Sequence, residues 1–207
     1  MSKAGAVAAV ILAAGTASRF RAEGGEGATK LIAEVDGKPM VRHVVSAALN
    51  SEAFSVVVVT GHARDAVENA LIGLPVQVRY NADYDSGIAS SLRNGVLAAG
   101  PSVSAAIVML ADMPRVKPEL LNLLIDAFGD NPEARAVVPV FGGKRGNPVL
   151  LSKKIFGEVA KLTGDMGARK LLEGDGDVVE VQVNDAAVTL DIDTPAALEE
   201  ARRGQST

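Results

Sequence analysis

Three uninterrupted apolar runs constrain the fold of this chain more than any other feature of its sequence. They cover residues 6–14, 55–60 and 105–111, and none alternates between apolar and polar residues. Strands that are apolar on both sides are typical of parallel sheets whose two faces are covered by helices. Segments with helical spacing of apolar residues occur between and after these runs, at 39–50, 63–72, 89–99 and 118–128. The pattern predicts an α/β fold with a mainly parallel, doubly wound sheet.

The remaining segments extend the same alternation of strands and helices. Further strands are expected at 31–35, 76–80, 134–141, 147–151, 178–183 and 188–191. Further helices are expected at 153–162, 168–172 and 195–203, the last one capped by Thr194 and beginning with proline.

Composition excludes several classes of partner. The chain has 207 residues, a net charge of −4 and no cysteine. An acidic protein does not attract a phosphate backbone, so nucleic acid is not an expected partner. The N-terminal apolar run is too short to span a membrane, and the absence of cysteine fits a reducing compartment. We therefore expect a cytoplasmic protein with no membrane contact.

The loop that follows the first run is suited to binding a phosphate. Gly15 ends the run, and three cations, Arg19, Arg21 and Lys30, stand in a glycine-rich segment beyond it. Glycine lets backbone amides approach a ligand, and cations stabilise a polyphosphate. Taken alone, the pattern fits a structural turn equally well. It lacks the GxGxxG spacing of a dinucleotide site, which argues against an NAD-dependent dehydrogenase.

Three predicted strands end in polar or glycine residues, at Gly15, Gly61 and Asp112. Ligands of open α/β sheets bind beyond the carboxyl ends of the strands, so these residues are expected to share one edge. A carboxylate beside an anion-binding loop suggests a nucleotide with a divalent metal, although Asp112 could also be a turn residue. We expect Asp191 and Asp193 to point to opposite sides of an extended segment, one toward the site and the other toward solvent or a helix cap.

An ordered set of motifs resembles the MobA-like nucleotidyltransferases. The motifs are Leu12-Ala-Ala-Gly15, Ser18-Arg19, Lys30-Leu31, Gly37-Lys-Pro-Met40, Asn81 with Gly87, Ser90 and Ser91, Leu110-Ala-Asp-Met-Pro114, Arg145-Gly-Asn-Pro148, Gly164-Asp-Met-Gly-Ala-Arg169 and Asp191-Ile-Asp-Thr-Pro195. Within the family, the combination is most similar to the molybdenum cofactor cytidylyltransferases. Ala14 stands where the guanylyl-transferring relatives usually have glycine, which favours CTP over GTP.

The resemblance implies a three-layer α/β/α, Rossmann-like and GT-A-like fold in one nucleotidyltransferase domain over residues 1–207. It implies transfer of CMP from CTP to the phosphate of molybdopterin, with release of pyrophosphate and with Mg²⁺ as cofactor. It also implies transient contact with a molybdoenzyme or its chaperone.

The same resemblance assigns roles to individual residues. Arg19, Lys30 and Asp112 are the expected catalytic residues, and Asp112 and Asp193 the expected metal ligands. The expected nucleotide contacts are Leu12, Ala13, Ala14, Gly15, Arg19, Lys30, Thr60, Gly61, Asn81, Gly87 and Ser91. The expected acceptor contacts are Arg145, Asn147, Asp165 and Arg169.

One departure from the family pattern lies between Arg19 and Lys30. The loop is longer than usual, and Phe20 and Arg21 stand in the places of a methionine and a glycine. The longer loop leaves open whether the Lys30 side chain extends to the predicted site. Three other functions stay open as well: guanylyl transfer to molybdopterin, nucleotidyl transfer to a sugar phosphate or another small phosphorylated acceptor, and a non-catalytic nucleotide-binding or cofactor-delivery module.

Overall fold

A central β-sheet contains the apolar runs in the computed structural model, which describes residues 5–25, 27, 29–173 and 177–203. The strands are β1 (Val7–Ala13), β2 (Glu34–Val35), β3 (Lys38–Pro39), β4 (Ser55–Thr60), β5 (Gln77–Tyr80), β6 (Ala105–Leu110), β7 (Ala136–Phe141), β8 (Lys144–Arg145), β9 (Val149–Ser152) and β10 (Val178–Gln182). The helices are α1 (Ser18–Ala22), α2 (Met40–Leu49), α3 (Arg64–Ala70), α4 (Ile88–Ala99), α5 (Pro118–Asp130), α6 (Phe156–Val159), α7 (Ala168–Leu171) and α8 (Pro195–Arg203).

The strands of the main sheet follow the order β10-β7-β9-β6-β1-β4-β5, and β8 pairs with β7. Strand β1 lies inside the sheet, parallel to both β4 and β6. Strand β5 is parallel to β4, and β10 is parallel to β7. Only β9 runs against both of its neighbours within this row. The expected mainly parallel mixed sheet is therefore confirmed.

Both faces of the sheet are covered, as the continuous apolar runs predict. Ala9 and Ile11 of β1 pack in a buried cluster with side chains of α2, α3 and α5. Val10, between them, packs on the opposite face with α4. Helix α4 comes very close there, because a Cβ added to Gly95 would lie 2.3 Å from Cγ1 of Val10. The fold is the predicted three-layer α/β/α arrangement.

Two stretches differ from the sequence expectation because local capping overrides the apolar pattern. Residues 188–191 were expected to form a strand, but the chain forms a 3₁₀ turn over Ala186–Thr189. The Asp185 carboxylate accepts a hydrogen bond from the Ala187 amide at 2.9 Å, which starts the turn. Likewise, the helix expected at 153–162 is a 3₁₀ turn over Lys153–Ile155, followed by the short α6. Ser152 caps this turn, since its hydroxyl accepts from the Lys154 amide.

Other boundaries are close to expectation, with two additions. The segment expected to be extended at 31–35 begins as a 3₁₀ turn over Lys30–Ile32, and α1 occupies a segment expected to be loop. Thr194 caps α8 as predicted, since its hydroxyl accepts from the Ala197 amide at 3.1 Å. Across the described ranges, every helix falls short of the length and apolar content required of a membrane span.

Candidate functional site

The carboxyl ends of the three adjacent strands β4, β1 and β6 lie side by side and form one edge of the sheet. The His62 amide donates to the Ala14 carbonyl at 3.2 Å, and the Ala111 amide donates to the Leu12 carbonyl at 3.1 Å. These bonds extend the strand pairing past the ends of the strands. They bring Gly15, Gly61 and Asp112 to the same edge, as the sequence predicts.

A cluster of three carboxylates forms at this edge. Oxygen atoms of Asp112, Asp191 and Asp193 all lie within 4.8 Å of one another. The Ile192 amide donates to the Asp112 carbonyl at 3.0 Å, and the Ile192 side chain is buried. Ile192 therefore attaches the C-terminal segment to the end of β6, with one aspartate on either side of it.

The expectation that Asp191 and Asp193 point to opposite sides is wrong. Residues two apart in extended chain lie on the same face, and the residue between them lies on the other face. Here Ile192 is the residue that turns inward to the apolar cluster around Phe20 and Met40. Asp191 was missed as a site residue, and a correct use of the alternation rule finds it.

Lys30 reaches the carboxylate cluster despite the length of the loop before it. Its ammonium lies 2.7 Å from Oδ2 of Asp112 and 2.5 Å from Oδ1 of Asp193. Arg19 pairs with the other oxygen of Asp193 at 2.8 Å, but its side chain is 78% exposed. Phe20 is buried and fixes the start of the long loop, in which residues 26 and 28 lie outside the described ranges.

Burial and ion pairing alter the pKa values of this cluster. Burial by itself would lower the pKa of Lys30, but the charges and hydrogen bonds of Asp112 and Asp193 outweigh it and raise the pKa above its ordinary value. Burial raises the pKa of Asp112 and is only partly offset by Lys30. Burial also opposes ionisation of Asp193, yet hydrogen bonds and charges from Lys30 and Arg19 lower its pKa overall. An ionised, cation-bound Asp193 is the result.

The cluster fits a divalent metal ion. Hard cations such as Mg²⁺ and Mn²⁺ take carboxylate oxygens as ligands. Oδ1 of Asp112 is buried and has no hydrogen-bond partner among the described residues. A buried carboxylate oxygen without a partner is costly, and a metal ion would satisfy it. Asp112, Asp191 and Asp193 are therefore the residues that could hold the metal.

A cavity of about 490 Å³ lies between the glycine loop and α4, and we term it the loop cavity. The predicted nucleotide contacts that line it are Leu12, Ala14, Gly15, Arg19, Gly87 and Ser91. The three aspartates of the cluster also line it, together with Tyr84 and Asp165. An adjoining cavity of about 420 Å³ continues from Gly15 to Lys30.

A separate cavity of about 580 Å³ lies on the other side of the cluster, and we term it the basic cavity. Lys144, Arg145 and Arg169 line it, with Asn147 between them in the chain. Arg145 donates to Glu180 at 2.7 Å, and Arg169 donates to the Arg145 carbonyl. Asp191 lines both this cavity and the loop cavity. The carboxylate cluster thus stands between the two cavities.

The structure does not bring all of the predicted acceptor residues together. Arg145, Asn147 and Arg169 share the basic cavity, whereas Asp165 lies in the loop cavity. A Cβ added to Gly87 would lie 2.3 Å from the Gly164 carbonyl and 2.8 Å from Oδ1 of Asp165. Close packing of Gly87 against this turn therefore places Asp165 beside the predicted nucleotide residues.

Three predicted nucleotide contacts lie behind the cavity lining. Ala13 is completely buried, and the Thr60 hydroxyl donates to Glu68 at 2.9 Å inside the protein. The buried Asn81 amide donates to the Ser90 and Ser91 hydroxyls at 2.8 and 3.0 Å. The Asn81 side chain therefore supports Ser91, which lines the loop cavity.

Gly61 occupies a tight position between Ala14 and Tyr84, two residues that line the loop cavity. A Cβ added there would lie 2.6 Å from Cβ of Tyr84 and 2.8 Å from Cβ of Ala14. Glycine is required because the chain segments carrying Tyr84 and Ala14 meet at this point. Tyr84 was missed by sequence reasoning, because nothing in its spacing separates it from an ordinary loop residue.

Comparison with known proteins gives a family match over most of the chain. Residues 9–183 match the protein family described as the MobA-like NTP transferase domain. The purine catabolism protein PucB of Bacillus subtilis is 32% identical over 95% of this chain and 96% of its own length. The bifunctional protein GlmU of Sorangium cellulosum is 33% identical over 64% of this chain, but the match spans only 29% of that relative.

Solved structures agree with this family match. Rv0371c of Mycobacterium tuberculosis superimposes with a TM-score of 0.83 at 26% identity, covering 95% of this chain and 98% of that one. A second structure of Rv0371c, a complex with manganese, has a TM-score of 0.80 at 25% identity and covers 98% of this chain and all of that one. A protein similar to this chain has therefore been crystallised with a divalent metal.

Proposed function

The chain belongs to the MobA-like NTP transferase family, and from this membership we propose that it transfers CMP from CTP to the terminal phosphate of molybdopterin, with Mg²⁺ as cofactor. The coarser statement, that it is a nucleotidyltransferase, follows from the family itself. The observation that supports a transfer between two substrates most directly is the position of Asp191. It lines both the loop cavity and the basic cavity, so the carboxylate cluster lies where two substrates would meet.

The proposed reaction is an in-line displacement at the α-phosphorus of CTP. An oxygen of the acceptor phosphate attacks, a new P–O bond joins the two phosphates, and the bond to the β-phosphate breaks so that pyrophosphate leaves. The acceptor oxygen is already ionised at neutral pH, so the reaction requires no general base. The protein contributes positioning and charge neutralisation, which are its main means of catalysis in phosphoryl chemistry.

Individual residues supply that neutralisation. The amide of Gly15 and the side chains of Arg19 and Lys30 line the cavities next to the cluster, where they would bind the triphosphate. Asp112, Asp193 and Asp191 would together hold the metal. A bound Mg²⁺ would add positive charge at the reacting phosphate.

The basic cavity suits a phosphorylated acceptor. Arg145 and Asn147 come from the turn that returns along β7, and Arg169 reaches the same cavity from α7. Guanidinium groups bind phosphate through paired hydrogen bonds, so Arg169 and Arg145 are the proposed contacts of the acceptor. Lys144, beside them, adds a third cation. Asp165 is proposed to act on the nucleotide side of the cluster instead.

The preference for CTP rests on Ala14. Ala14 is a buried residue of the loop cavity lining, and its Cβ would lie only 2.8 Å from a Cβ added to Gly61. A glycine at position 14 would leave more room at this wall, and a purine needs more room than a pyrimidine. Guanylyl transfer to molybdopterin and nucleotidyl transfer to a sugar phosphate are the alternatives that product analysis distinguishes.

Thermal unfolding with separate nucleotides tests the first half of this proposal. With Mg²⁺ present, CTP is expected to raise the Tm by several degrees, since a ligand at about 100 times its Kd adds roughly 2.7 kcal/mol to the free energy of unfolding. GTP, ATP and UTP are expected to raise it less, and EDTA is expected to remove the effect of CTP. A larger shift with GTP would contradict the preference for CTP.

Pyrophosphate release tests the second half. With CTP and molybdopterin, we expect stoichiometric release of pyrophosphate and a product whose mass equals molybdopterin plus CMP. A sugar phosphate in place of molybdopterin is expected to give no release. CTP binding without release from any acceptor would instead indicate a non-catalytic nucleotide-binding module.

Gly15→Ala is expected to weaken CTP binding by at least about tenfold while leaving the fold intact. Apart from its two chain neighbours, a Cβ at Gly15 would meet no atom of the described residues within 4 Å, so the described fold does not require glycine there. The Tm without ligand and the CTP titration are measured side by side. Gly157→Ala, also at a position with open space, is the matched control, and it is expected to leave CTP affinity unchanged. Unchanged CTP affinity in Gly15→Ala would remove this backbone from the nucleotide site.

A further inference from the structure

Lys30 forms a bridge between two of the three carboxylates that fit a metal ion. Its ammonium is within 2.7 Å of Asp112 and 2.5 Å of Asp193, and the whole residue is only 7% exposed. Among the described residues, the other cation paired with the cluster is Arg19, which contacts Asp193 from a solvent-exposed position. Lys30 is therefore the internal counter-ion of the site.

This position conflicts with direct binding of a free metal ion. An ion held by Asp112 and Asp193 would stand within a few ångströms of the ammonium, and like charges at that separation repel strongly in a partly buried site. The ammonium of Lys30 also offsets part of the negative charge of these two carboxylates. A free divalent ion must displace the ammonium, or bind against its repulsion.

The side chain of Lys30 can move while its backbone stays fixed. The backbone is part of the 3₁₀ turn Lys30–Ile32, where the Thr29 hydroxyl accepts from the Leu31 amide and Leu31 is buried in the core. The ammonium sits at the end of a flexible four-carbon stem. It borders the cavity that also contains Gly15, Ser18 and Arg19. An anion in that cavity would offer the ammonium a second partner close to the first.

We infer that Lys30 is a displaceable counter-ion, which opposes metal binding at Asp112 and Asp193 until the triphosphate of the nucleotide attracts its ammonium. The inference rests on the proposed function for the identity of the anion, but the opposition to metal binding does not. Metal and nucleotide then bind cooperatively, because each is favoured by the charge that the other brings. Metal ions that arrive without a nucleotide therefore bind more weakly.

Metal binding without any nucleotide tests this inference. Mn²⁺ is titrated into the full chain while the EPR signal of free Mn²⁺ is followed. Lys30→Met, which keeps an apolar stem and removes the charge, is expected to bind Mn²⁺ at least about tenfold more tightly than the wild type. Lys30→Gln, which keeps a hydrogen-bond donor, is also expected to bind Mn²⁺ more tightly than the wild type. A second variant keeps the test valid if one of the two folds poorly.

A charge-matched control excludes a general effect of net charge. Lys154 pairs with Glu133. It lies in the 3₁₀ turn that follows β9, at the opposite edge of the sheet from the site. Lys154→Met is expected to leave Mn²⁺ affinity unchanged. As a second readout, Mn²⁺ is expected to raise the Tm of Lys30→Met more than that of the wild type, since a ligand that binds the folded state more tightly stabilises it more.

Equal or weaker Mn²⁺ binding by both Lys30 variants would overturn the inference and show that Lys30 supports the metal ligands. The test does not depend on CTP, on molybdopterin or on turnover. A failure of the proposed reaction therefore leaves this result unaffected, and a failure of this test leaves the proposed reaction intact.

Discussion

Asp112→Asn is expected to abolish the Mg²⁺ dependence of CTP binding and to lower turnover by about 10³-fold. Asp112 is the most buried carboxylate of the cluster, and its Oδ1 has no hydrogen-bond partner among the described residues. An amide has the same shape but no charge and only one ligand oxygen, so it binds a hard cation much more weakly than the carboxylate does. CTP affinity is measured by calorimetry at several Mg²⁺ concentrations, and turnover by pyrophosphate release.

Asp36→Asn is the matched control for this change. Asp36 is a partly buried aspartate that pairs with Arg115 at 3.1 Å, outside the carboxylate cluster. It has a positive φ of 52°, which asparagine adopts readily. The control is expected to keep its Mg²⁺ dependence and its turnover. If Asp112→Asn kept an unchanged Mg²⁺ titration, the metal would have to be held by other residues.

Lys30→Ala is expected to lower turnover by about 10²–10³-fold, the usual effect of removing one group that stabilises developing charge. In the proposed reaction the ammonium neutralises charge on the departing phosphates, so the loss should appear in kcat as well as in kcat/KM. Pyrophosphate release at saturating CTP measures it. Circular dichroism and the Tm in the presence of Mn²⁺ show whether the variant is folded.

The same substitution separates two roles of Lys30. Tighter Mn²⁺ binding together with slower turnover would be expected from a counter-ion that also acts on the triphosphate. Lys154→Ala, which removes a lysine at the other edge of the sheet, is expected to keep normal turnover. Normal turnover in Lys30→Ala would exclude Lys30 from the catalytic step.

The architecture was predictable from sequence because its signals are local. Apolar runs such as 55–60 and 105–111 are strands in the structure, and their lack of alternation correctly indicated helices on both faces. The polar residues after β1, β4 and β6 were correctly expected at one edge, since parallel neighbours end on the same side. Asp185 and Ser152 show where this reasoning fails, because one capping hydrogen bond can outweigh a short apolar pattern.

The sequence by itself determined the order of strands and helices, the edge that carries the site, and the glycine loop, Lys30 and Asp112 as its main components. Only the tertiary structure decided that the face shared by Asp191 and Asp193 meets Asp112, that Lys30 bridges two of these carboxylates, and that Asp165 and Arg169 line different cavities. Periodicity and capping depend on neighbouring residues and are visible in the chain. Lys30 and Asp193 meet across 163 positions of sequence, and only the packing of Phe20, Leu31 and Ile192 into the core determines that distance.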